Sequence, residues 1–245
     1  MEPTPTGHLV LALWSMPRSR STAFFRMMAE RGDFQTLHEP FSNLAEFGRT
    51  DVGGRTVRSQ RALVDAIRDL AADGPVFFKD TTDERYDQVL SDTDFLGRAA
   101  THTFLIRHPV ETIASYHALN PAVRCDQIGA ENLHEIHRRT AEVTGTDPVL
   151  LDAADLVADP DGMVRAYCRQ VGIPFLPGAL SWSAGERGEW RTTARWHLDA
   201  SASTGFTART GRYGLDVVND PVLSGYLRHN LRFYDDLHRG RLAAA

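Results

Sequence analysis

Cysteine is scarce: the 245 residues include two, Cys125 and Cys168, in neither a C-x-x-C nor a metal-ligand spacing. That excludes a disulfide framework and a zinc site, and leaves free, buried thiols in a reducing compartment as the expectation. Long hydrophobic runs are lacking too. The longest near the start, Leu9 to Trp14, is six residues, and the acidic Glu2 stands where a signal peptide would carry cations. A cytoplasmic protein with no membrane partner is therefore expected. Excess positive charge is also missing. A net charge of −5 excludes a broadly basic nucleic-acid coat, so any anion site must be local.

Lysine is the scarcest charged residue, with one, Lys79, against 26 arginines. A compact ammonium differs chemically from a guanidinium fork, so Lys79 is a candidate wherever a point charge is needed. What the chain does have is 42% hydrophobic and 24% charged residues, enough for a sizeable core. The length predicts one domain over residues 1–245.

Strand-like and helix-like patterns alternate. Residues 8–14 form an apolar run closed by Ser15 and Pro17, followed by a helix capped by Ser21 or Thr22 and stopped at Gly32. Further strands are predicted at 34–37, 75–79, 101–106 and 148–151, and helices at 60–72, 109–119, 126–144, 159–171 and 221–238. The rhythm predicts a three-layer α/β fold, a central parallel sheet of about five strands flanked by helices. Between 181 and 220 it lapses into Gly, Ser, Thr, Arg and Trp. Trp182, Trp190, Trp196 and Phe206 make that stretch a candidate cofactor or substrate lid.

Ligands of parallel α/β sheets bind outside the carboxyl ends of the strands, where a helix N-terminus offers free N–H groups and a positive dipole end. Here the segment after the first strand is SMPRSRST, residues 15–22. Its two arginines and its hydroxyls suit a phosphate-type anion. It lacks glycine and lysine, so G-x-x-x-x-G-K-[ST] is absent and a Mg²⁺-dependent triphosphatase or small-molecule kinase is disfavoured.

PRSRST after the first strand resembles the P-loop-like 5′-phosphosulfate loop of sulfotransferases that use 3′-phosphoadenosine 5′-phosphosulfate. A second motif of that family is an arginine ending a strand, with a serine eight residues on; FLIRHPVETIASYHA supplies Arg107 and Ser115. The segment VLLDAADLVADPDGMVRAYCRQVGIPF is similar to the region after the last sheet strand of bacterial members. The resemblance implies that Arg18, Ser19, Arg20, Ser21, Thr22 and Ala23 hold the 5′ end of the donor and that Arg107 and Ser115 hold its 3′-phosphate. It also implies that Ser203, Thr204 and Gly205 lie near the nucleotide, with Arg209 or Arg212 as further contacts. The product would be adenosine 3′,5′-bisphosphate, and no metal is implied. Arg20 departs from the family pattern, which has glycine there, and lacks glycine's freedom at positive φ.

Sulfuryl transfer needs a base for the acceptor and a cation for the departing phosphate. Arg18 and Lys79, the latter ending the strand FFKD on the same rim, are the cation candidates. In the resembling enzymes a glutamate of this region is the base, which makes Glu39 of LHEPF the first choice. His38 is the alternative base, and Asp80 a further acid. Strand alternation points His38 and Glu39 in different directions. Trp14 could meet adenine or belong to the core.

The expected activity is transfer of a sulfuryl group to a hydroxyl, or an amine, of a small molecule, as in natural-product modification. Two alternatives keep the fold: sulfation that creates a leaving group for elimination or ring closure, and a non-catalytic nucleotide-binding partner subunit. No nucleic-acid partner is expected, and the oligomeric state, a homodimer included, stays open.

Overall fold

A computed structural model describes residues 9–207 and 214–243. Five strands, β1 (Val10–Ser15), β2 (Gln35–His38), β5 (Val76–Thr81), β6 (Thr101–Ile106) and β7 (Leu150–Asp152), form a parallel sheet in the order β2-β5-β1-β6-β7. Strands β3 (Thr50–Val52) and β4 (Arg55–Val57) make a separate antiparallel hairpin across Gly53 and Gly54, both at positive φ. Because all five sheet strands run the same way, the segments leaving β1, β2, β5 and β6 emerge on one rim.

Alternation along β1 feeds both faces of the sheet. Val10, Ala12 and Trp14 join one apolar layer with Phe78 and Phe104, covered by α3 (Gln60–Ala71), α6 (Ala130–Thr144) and α10 (Leu223–Arg239). Leu11 and Leu13 join the other with Phe77 and Leu105, covered by α1 (Ser21–Arg31) and α8 (Pro160–Val171). Trp14 is fully buried, and its Nε1 donates to His102 Nδ1 at 2.9 Å. It is therefore core.

The predicted architecture stands, with local corrections. The 126–144 helix is a 3₁₀ turn (Asp126–Ile128) followed by α6, because Gly129 takes φ +82 between them. Residues 40–47, which lie in none of the predicted elements, form α2 (Pro40–Phe47), with Pro40 in its first turn. Asp80 holds that helix start: its carboxylate accepts the amides of Phe41 at 2.6 Å and Ser42 at 3.1 Å and the Ser42 hydroxyl at 2.5 Å. A cap contributed by a neighbouring strand leaves no mark in the helix's own sequence. Neither Ser21 nor Thr22 caps α1; Arg20 holds the N-cap position without a side-chain cap bond.

The 181–207 stretch contains a 3₁₀ segment (Gly188–Trp196) and the one-turn α9 (Leu198–Ser201). Trp182 and Trp190 are buried in the second core layer, and their Nε1 groups donate to Ser203 and Ser201. Arg26 of α1 ties the stretch down through the carbonyls of Ser183 and Gly185. Among the described residues, no helix is long and apolar enough to cross a membrane.

Candidate active site

A cavity of about 410 Å³ opens on the rim where β1, β2, β5 and β6 end. Residues from four predicted segments meet there: Arg18, Arg20, Ser21, Thr22 and Ala23 after β1, Glu39 just after β2, Lys79 near the end of β5, and Arg107 and Ser115 after β6. Ser203 and Gly205 also line it, whereas Ser19, Thr204, His38 and Trp14 do not. Ser19 is fully buried, and the Thr204 carbonyl is engaged by the Trp182 amide at 3.1 Å. Arg209 and Arg212 lie outside the described residues.

The two halves of the expected anion site touch. Arg18 Nε donates to Ser115 Oγ at 3.0 Å, and Arg107 Nη1 donates to the Arg18 carbonyl at 2.7 Å. Arg107 also pairs with Glu111 through Nε at 2.7 Å, so it is a strand-end ion pair and a loop support at once. Arg18 reaches the Trp196 carbonyl as well, joining the loop to the 181–207 stretch.

Backbone geometry marks the same place. Among the described residues, the non-glycine residues at positive φ are Arg18 (φ 60), Arg20 (φ 70) and Glu39 (φ 50), and all three line the cavity. Left-handed backbone costs an L-residue roughly 1–2 kcal/mol, and such strain gathers at functional sites. Arg20 thus adopts the left-handed conformation that glycine takes at no steric cost. Its carbonyl accepts the amides of Ala23 and Phe24, which turns the N-terminus of α1 onto the cavity.

Register explains how Glu39 meets Lys79. His38 and Lys79 are Cα partners across β2 and β5, and the Glu39 amide donates to the Lys79 carbonyl at 2.7 Å. The left-handed turn at Glu39 ends the extended geometry, so alternation fails at this step. The Glu39 carboxylate lies on the Lys79 ammonium and within 3.9 Å of His38 Nδ1. Burial pushes the Glu39 carboxyl up, but Lys79, His38 and His197 together hold it far below the usual carboxylate range.

His197 was hidden in the sequence because its segment has no periodicity. It is buried, lines the cavity, and pairs through Nδ1 with Thr22 Oγ1 at 3.0 Å, while its Nε2 lies 3.8 Å from Glu39 and has no hydrogen-bond partner among the described residues. Burial lowers its pKa to about 4, so the ring is neutral at neutral pH. His38, packed on Phe25, Trp190 and His197, is likewise held well below its ordinary value, first by burial.

His38, Glu39 and His197 present ligand atoms within 4.8 Å of one another, the metal-type cluster found among the described residues. The Lys79 ammonium shares the Glu39 carboxylate, so an ion there would have to displace it.

A sequence model described as "Sulfotransferase domain" matches residues 9–239. The chain belongs to the sulfotransferase family. The sulfotransferase domain from the Synechococcus PCC 7002 olefin synthase has the same fold, with TM-score 0.51 and 16% identity over 92% of this chain and 94% of that one. Curated relatives are the branched-chain-amino-acid aminotransferase-like proteins 2 and 1 of Arabidopsis thaliana, each 28% identical over 214 residues, 81% of this chain. The chain spans 36% and 37% of those two proteins' lengths.

Proposed function

We propose that this sulfotransferase takes the sulfuryl group of 3′-phosphoadenosine 5′-phosphosulfate and passes it to a hydroxyl of a small molecule. The supporting observation is the shared cavity: the segment after β1 and the Arg107/Ser115 pair line one space and are hydrogen-bonded to each other. A single donor with a phosphate at each end of its ribose fits two linked anion sites. The amides at the start of α1, with Arg18, Arg20 and Thr22, receive the 5′ end, and Arg107 and Ser115 receive the 3′-phosphate.

Glu39 is the base. Its carboxylate takes the acceptor O–H proton as the acceptor oxygen forms a bond to sulfur, and the bond from sulfur to the bridging phosphate oxygen breaks. Lys79 sets the timing. While its ammonium lies on Glu39 the carboxylate is a poor base; moving onto the bridging oxygen, the ammonium neutralises the departing charge and frees Glu39 to accept the proton. His38, outside the cavity, positions Glu39 rather than meeting the acceptor.

The purified protein is incubated with the phosphosulfate donor and a library of hydroxylated and aminated small molecules, and products are weighed by mass spectrometry. A stable sulfo-group mass gain supports the reading. Donor consumption with a dehydrated or cyclised product would favour sulfation as activation, and phosphoryl gain from Mg²⁺-ATP would replace the reading with a kinase.

A further inference from the structure

Charge is divided along the rim. The cations Arg18, Arg20 and Arg107 come from the segments after β1 and β6, which are neighbours in the sheet. On the side of β2 and β5 the same cavity is lined, besides the Glu39–Lys79 ion pair, by three further carboxylates, Glu46 of α2 and Asp83 and Glu84 of the segment after β5. None of the three has an ion-pair partner among the described residues. Asp83 is held instead by neutral hydroxyls, accepting from Thr81 at 2.7 Å and from Tyr116 at 3.3 Å. Burial without a cation pushes its carboxyl up to about 6.

A second observation is independent of these acids. His197 lines the cavity beside Glu39, and its buried Nε2 lacks a hydrogen-bond partner among the described residues, which calls for a polar ligand group at the Glu39 end. Aromatic surface is also available. Tyr116 and Trp196, edge to face with centroids 5.4 Å apart, both line the cavity, and the Arg195 guanidinium already lies 4.6 Å from the Trp196 centroid, the kind of cation–aromatic contact that alkylammonium groups also make.

Resting on the sulfuryl-transfer reading above, we infer that the acceptor is an amino alcohol or amino sugar: its hydroxyl meets Glu39 and His197 while its protonated amine sits among Asp83, Glu46 and Glu84. A bound polyanionic donor next to three unpaired carboxylates leaves a negative field that an ammonium group would neutralise. The amine is a recognition handle and does not react. The oxygen alone loses a proton to Glu39 and gains the sulfo group.

Calorimetry on the protein saturated with adenosine 3′,5′-bisphosphate tests this with matched probes, tyramine against N-acetyltyramine and glucosamine against N-acetylglucosamine. The amine of at least one pair is expected to bind tenfold or more tightly than its acetylated partner. Glu46→Gln, at an exposed helix position, and Asp83→Asn should each shrink that preference several-fold while leaving bisphosphate affinity in place. Equal or weaker binding of both amines, no binding by either, or a preference that survives both substitutions would overturn the inference. Those results would leave the donor assignment standing; failure of the bisphosphate itself to bind would remove that assignment and this proposal with it.

Discussion

The Lys79 ammonium and the Glu39 carboxylate form a buried ion pair at the point where β2 and β5 leave the sheet. It joins the chain's one lysine to its left-handed glutamate. Deleting one partner strands a charge in the interior, a loss of about 3–5 kcal/mol, whereas deleting both is much milder. Urea unfolding of Lys79→Met, Glu39→Gln and the double variant should show this non-additivity. Equal and additive losses would mean that the pair carries no coupling. Glu39→Gln should also lower kcat by roughly 10²- to 10⁴-fold, the range of a general base, with donor affinity retained.

Gly129 sits behind the anion loop at φ +82. A Cβ there would lie 2.8 Å from Pro17 Cδ and 3.0 Å from the Thr82 carbonyl. Gly129→Ala should therefore destabilise the protein by about 1–3 kcal/mol, through backbone strain, and weaken bisphosphate binding by displacing Pro17. Thermal melts with and without the bisphosphate measure both effects. A variant with wild-type stability and affinity would show that the loop does not depend on this contact.

His197 makes acid stability a site property. Its folded pKa, about 4, lies below the unfolded value of about 6.5, so the unfolded chain binds the extra proton between them. The stability from keeping the ring neutral is present above pH 6.5 and is lost as pH falls towards 4, a change of roughly 3 kcal/mol. The difference between wild type and His197→Gln isolates it from other titrating groups. Wild-type stability should fall relative to the variant over that window, and a pH-independent difference would contradict the burial argument.

The strand and helix pattern was legible because both sheet faces are apolar and both helix layers amphipathic, so periodicity carries the information. Helix α2 escaped because its start is held by Asp80, some forty positions away. His197 escaped for a related reason: it comes from a stretch of short turns whose order derives from buried tryptophans. The anion loop could be read from residue types alone, since arginines and hydroxyls at a strand-to-helix junction have a defined use. What composition could not supply was Arg20's backbone. Glycine was the expected occupant of a left-handed position, and the arginine takes up that conformation together with a hydrogen bond to the Thr207 carbonyl at 2.8 Å.

The most direct measurement compares adenosine 3′,5′-bisphosphate with adenosine 5′-monophosphate by titration calorimetry, for the wild type and for Arg107→Ala. Hydrogen bonds to a charged group contribute about 1.5–3 kcal/mol, so the bisphosphate should bind roughly 10- to 150-fold more tightly. Arg107→Ala should remove most of that margin; because Arg107 also holds the Arg18 carbonyl, monophosphate affinity should fall too, but by less than bisphosphate affinity. Equal affinities for the two nucleotides in the wild type would contradict the two-ended donor site.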